Sequence, residues 1–107
     1  MFKINEIEWY VKFVHSDSQF LHREDGGLTI GMCDNSARTI YINEFLQGKE
    51  LKKVLCHELT HAAMFSYEVY LTYEQEEMVA EIIATYGEEI IAITDMLVSK
   101  FKMERYS

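Results

Sequence analysis

The sequence predicts an α+β fold: a small antiparallel sheet of about three strands, followed by a helix bearing a His-Glu-x-x-His motif and one or two further helices. Three observations predict it. Apolar residues alternate at a period of two only before position 44, helical periodicity takes over from about position 49, and His57-Glu58-Leu59-Thr60-His61 lies in that helical part. At 107 residues the chain fits one domain over 1–107, with room for a single core.

The opening residues Met1 to Glu6 lack the basic start and apolar run of a secretory signal, and no later run approaches the roughly 18 apolar residues that cross a bilayer. Trp9, Val11 and Phe13 alternate with Tyr10, Lys12 and Val14, which predicts a strand with one strongly apolar face. Ile7, Tyr10, Val11 and Val14 also fit a helical stripe. Ser16 to Gly27 is polar and ends in Asp25-Gly26-Gly27, a turn signal. His15 and His22 stand isolated nearby and are read as ordinary surface or half-buried residues. Leu28 to Cys33 and Thr39 to Asn43 alternate on either side of Asp34-Asn35-Ser36-Ala37-Arg38, giving a hairpin with a loop of about five residues. If the second of these strands forms the sheet edge, its backbone can pair with an extended peptide.

The helix after Gly48 carries the chemistry. Residues four apart share a helix face, so His57 and His61 can reach one metal ion, and Glu58 lies about 100° round from His57. Leu51, Val54, Leu55, Leu59, Ala62 and Phe65 fall in one continuous arc, with Lys52, Lys53 and Thr60 opposite. The two histidines and Glu58 border that apolar arc, where an unpaired charge is costly and a ligand role accounts for it. Two imidazole ligands and a carboxylate beside them are what a hydrolytic zinc site needs: zinc lowers the pKa of bound water from about 15.7 to about 7, and the carboxylate takes the proton.

No third histidine or glycine follows at metzincin spacing, so the third ligand comes from elsewhere. A second helical pattern opens at Glu74-Gln75-Glu76-Glu77 and runs to Tyr86, where Gly87 interrupts it. The helix dipole accounts for Glu74 and Glu76. It accounts poorly for Glu77, whose face carries Ala80 and Ala84 and so allows close approach to the first helix. Glu77 is the preferred ligand, with Glu81, Glu76 and Cys33 as alternatives; Glu81 could instead support a ligand histidine from outside the coordination sphere. A third pattern from Glu88 to Lys102 places Ile90, Ile93, Thr94, Leu97 and Phe101 on a stripe read as closing the core. Its leftover edge, including Ile91 and Val98, offers a surface for dimerisation, so a monomer or weak homodimer is expected.

Composition is that of a globular protein, 49% apolar and 26% charged. A formal charge of −8 leaves no basic surface to track a phosphate backbone, so no nucleic-acid partner is expected, and no membrane partner either. Cys33 and Cys56 make no disulfide framework, which predicts a reducing, cytoplasmic setting.

Paired strands, then His57, Glu58 and His61, then a helix with Glu77, Ala80 and Ala84, resemble the ImmA/IrrE family of small gluzincin-type metallopeptidases, found widely in phages and mobile elements. The resemblance spans roughly residues 28 to 86. It implies a minimal zincin fold, one Zn2+ per chain on His57, His61 and Glu77, and Glu58 as general base on zinc-bound water. It also implies a protein or peptide substrate, since relatives with an assigned role cleave repressor-type regulatory proteins, often alongside a DNA-binding partner. A tyrosine after the metal helix, Tyr67, Tyr70 or Tyr73, is a candidate donor to the oxyanion. The alternative is a zinc-binding protein-interaction module without turnover, whose fourth coordination position would be closed by a protein ligand rather than left to water.

Overall fold

The computed structural model describes residues 1–106. Its strands are β1 (Phe2–Ile4), β2 (Ile7–Val14), β3 (Gly31–Asp34) and β4 (Thr39–Asn43), and its helices are α1 (Gly48–Ser66) and α2 (Tyr73–Tyr106), with a short 3-10 turn at Gln19–Leu21. The class is therefore α+β as predicted, but the sheet has four strands and is mixed. β1 pairs antiparallel with β2 through a two-residue turn in which Asn5 and Glu6 both take positive φ, 51° and 64°, as a tight hairpin matched to strand twist requires. β2 pairs parallel with β4, and β3 antiparallel with β4, giving the order β1-β2-β4-β3. Parallel pairing follows from the long connection between β2 and β4, which carries the chain back to the same end of the sheet. The strand just ahead of α1, β4, is consequently interior, and the sheet's edges are β1 and β3.

The expected strand over Trp9 to Val14 forms as β2 and extends to Ile7. Trp9, Ile40, Ile42 and Ala62 make the fully buried centre, where the sheet packs on α1. Trp9 also anchors the far end of that helix: its indole N–H donates to Ser66 Oγ at 2.8 Å, and Asn5 Nδ2 donates to the Ser66 carbonyl at 2.9 Å. These bonds fix where α1 ends relative to β1 and β2.

The start of α2 is set by a capping box. Gln75 N–H donates to Thr72 Oγ1 at 3.2 Å while Thr72 N–H donates to Gln75 Oε1 at 3.1 Å, so Glu76 and Glu77 fall in the first turns. A loop of residues 67–72 reverses the chain, and the ion pairs Lys53–Glu81 and Lys52–Glu88 show α2 running back antiparallel along α1. Ala80 is fully buried at this contact, as its small side chain predicted.

Two expectations are corrected here. Gly87 does not divide the helical region: α2 is continuous for 34 residues, because one glycine inside a helix costs only about 1 kcal/mol and leaves the hydrogen-bond ladder intact. Nor does the Ile90–Phe101 stripe close the core. With 19 residues α1 is about 28 Å long against about 51 Å for α2, so α2 overhangs its partner and that stripe is exposed. The molecule is accordingly elongated, 58 × 30 × 28 Å. Among the described residues, no helix is long and apolar enough to cross a membrane.

Candidate metal centre

Helix α1 presents His57, Glu58 and His61 toward the start of α2 and the edge strand β3. His57, His61 and Glu77 each bring a ligand atom to one place, all within 4.8 Å of one another. The carboxylate of Glu77 spans the two rings: Oε1 lies 2.9 Å from His61 Nε2 and Oε2 lies 3.3 Å from His57 Nε2. A tetrahedral ion with bonds near 2.0–2.1 Å needs ligand atoms about 3.3 Å apart; the His57–Glu77 pair stands at that distance and the His61–Glu77 pair is shorter, and two imidazoles with one carboxylate are a donor set that zinc accepts.

The other nitrogens of the two rings are held from outside. His61 Nδ1 lies 2.6 Å from Glu76 Oε1, and His57 Nδ1 lies 3.3 Å from Glu81 Oε2. A proton kept on each Nδ1 by these carboxylates leaves both Nε2 lone pairs aimed at the Glu77 position, which is the arrangement that orients metal-binding histidines. The supporting place read from the sequence for Glu81 is thus occupied, and Glu76 fills the equivalent place on the second ring. The two differ in setting. The Glu76 side chain is 17% exposed, whereas that of Glu81 is 55% exposed and shared with Lys53 Nζ at 3.0 Å and Thr85 Oγ1 at 3.1 Å. The Lys53 and Thr85 bonds hold the Glu81 carboxyl below its ordinary range.

Glu58 is buried, one position from His57, with its stem against β3. A Cβ at Gly31 would lie 2.8 Å from Val54 Cγ1 and 3.2 Å from Glu58 Cγ, so glycine at that strand position is what lets the helix and its glutamate approach the edge strand. Burial pushes the Glu58 carboxyl above its ordinary range; the charges of His61 and His57 pull the other way, and that of Glu77 adds to the rise.

Cys33 sits on β3 beside this group without belonging to it. Burial, together with the negative charges of Glu58 and Glu76, pushes its thiol well above the usual range. His15 pairs with Asp17 at 3.6 Å and packs edge-on against Phe45, outside the group. Of the three tyrosines considered as donors, Tyr73 lines the cleft over the site. Arg23 lines it as well, and its positive charge reaches Glu58. Sequence reading passed over Arg23 because it lies in a polar loop with no periodicity; the only signal was a cation beside a turn in an acidic chain.

No protein-family model matches the chain, and no curated protein matches it.

Proposed function

We propose that this protein is a zinc-dependent peptidase of minimal zincin type, with His57, His61 and Glu77 holding the ion and Glu58 acting as general base. The observation that carries this reading is the convergence of both histidine Nε2 atoms on the Glu77 carboxylate, with a buried glutamate one residue from the first ligand in the same cleft. Zinc held there would polarise the scissile carbonyl and lower the pKa of bound water. Glu58 takes a proton from the attacking water, and the same carboxyl returns it to the nitrogen as the C–N bond breaks, yielding a carboxylate and an amine. The raised affinity of Glu58 for a proton suits both halves of that exchange.

Substrate positioning is supported by the topology. β3 is a sheet edge, where an extended peptide could add as a further strand, and its Gly31 stands against Glu58. Tyr73 and Arg23, which both line the cleft, are the candidates to donate to the developing oxyanion. The resemblance to the ImmA/IrrE family extends the proposal to a regulatory protein as substrate, and the two unpaired cysteines fit a reducing, cytoplasmic setting.

The experiment is hydrolysis of a fluorescent peptide library by the zinc-loaded protein and by Glu58→Gln. The proposal expects cleavage by the wild type and a loss of at least a hundredfold in the variant at unchanged zinc content. Equal cleavage by the variant removes the general-base role, and absence of cleavage by the zinc-loaded wild type across the library favours the interaction-module alternative.

A further inference from the structure

The overhanging part of α2 carries an apolar face that the protomer does not use. Ile90, Ile91, Ile93, Leu97, Val98 and Phe101 lie on one side of the helix and are each between 37% and 62% exposed. A monomer rarely leaves so continuous an apolar surface to water. The face is built on a helix that extends past the end of α1, so no element among the described residues can fold back to cover it.

The charges along the same segment say what does. Glu88 and Glu89 occupy the half of the segment nearer the candidate metal site and Asp95 stands at its middle, while Lys100, Lys102 and Arg105, with the acid Glu104, occupy the far half. Two copies laid side by side in parallel would set acid against acid and base against base. Laid antiparallel, with a two-fold axis between positions 94 and 95, they set each acidic half against the other copy's basic half and superpose the two apolar stripes. Glu89 and Lys100 are the pair this arrangement selects. At 100° per residue they fall within about 20° of each other on one edge of the stripe, so each faces the other copy's opposite charge across a symmetric contact.

We infer that the protein forms an antiparallel homodimer through residues 88–101 of α2, with the two candidate metal sites held at opposite ends of the paired helices. The inference does not depend on the proposed chemistry. Such a contact, using a single helix from each copy, sits at the small end of specific interfaces, which points to a dimer that dissociates on dilution.

Sedimentation equilibrium of the full chain tests it with three variants. The wild type is expected to be dimeric at high micromolar concentration. Leu97→Lys is expected to be monomeric with unchanged circular dichroism, because Leu97 is not among the residues of the protomer's hydrophobic core. Lys100→Glu is expected to weaken the dimer by roughly tenfold, since symmetry counts each lost ion pair twice. Combining it with Glu89→Lys is expected to restore wild-type association. Restoration is specific to the antiparallel arrangement, because a parallel dimer would face each changed residue with its own copy. A wild type that stays monomeric to about 100 µM overturns the inference, including the case where its apolar helix binds anionic lipid vesicles instead. So does a dimer indifferent to Leu97→Lys, or one that the charge exchange fails to restore.

Discussion

If His57 and His61 hold a metal ion as proposed, the two carboxylates behind them should contribute unequally to its binding, and the inequality is measurable. Glu76→Ala removes a 2.6 Å contact to His61 Nδ1 from a side chain only 17% exposed. Glu81→Ala removes a 3.3 Å contact to His57 Nδ1 from a side chain 55% exposed, one whose other oxygen is already engaged by Lys53 and Thr85. Loss of an outer carboxylate on a ligand histidine weakens metal binding by roughly 10–100-fold, or about 1.4 to 2.7 kcal/mol. The short, shielded contact of Glu76 belongs at the upper end, near a hundredfold. The longer, solvent-screened contact of Glu81 belongs at tenfold or below. Competition titration against a chromophoric zinc chelator, at low and at 0.5 M salt, reads both constants. The Glu76 loss should survive added salt and the Glu81 loss should shrink. If these residues act only through net charge, both variants lose one negative charge near the same ion and should weaken binding alike. Equal losses, or a larger loss for Glu81, would refute the orienting role drawn from the geometry.

Two further outcomes follow from the approach of α1 to the sheet edge. Gly31→Ala puts a methyl group 2.8 Å from Val54 Cγ1 and against Glu58, so it should destabilise the protein by about 1–3 kcal/mol in urea unfolding and depress peptide turnover more than zinc affinity. In the metal-free protein, Glu58 is held above its ordinary carboxyl range by burial. Its favourable contribution to stability is therefore complete at pH values below the unfolded-state carboxyl pKa and disappears as pH rises through the raised folded-state value. Metal-free Glu58→Gln should accordingly melt a few degrees above wild type at pH 7, with the difference closing toward pH 4; a constant difference across that range would mean that the carboxyl is not strained by burial.

The site was legible in the sequence because its signals are local. His57 and His61 are separated by one helical turn, the apolar arc around them fixes the face they border, and Glu77 stands out as a carboxylate three residues before an alanine that packs against α1. The capping box at Thr72 and Gln75 was equally local and would have fixed the helix start at Tyr73, one residue earlier than the acidic cluster did. What was illegible is nonlocal or marginal. Asn5-Glu6 is a weak hairpin signal without the glycine that usually follows Asn, so β1 went unseen. Alternation predicts a strand but says nothing of whether its neighbour runs parallel, as β2 and β4 do. Glycine lowers helical propensity without abolishing it, so Gly87 read as a break when the helix runs through. Periodicity likewise finds the apolar stripe from Ile90 to Phe101 without saying whether anything within the protomer covers it; the relative lengths of α1 and α2 decide that, and they leave it exposed.

The proposed function rests on one site, His57, His61 and Glu77 together holding one zinc ion. Its most direct measurement is zinc content per chain after reconstitution and removal of free metal, in the wild type, Glu77→Ala and Glu58→Gln side by side. The account predicts about one zinc per chain in the wild type and in Glu58→Gln, and far less in Glu77→Ala. Full zinc in Glu77→Ala, or none in the wild type, would contradict it.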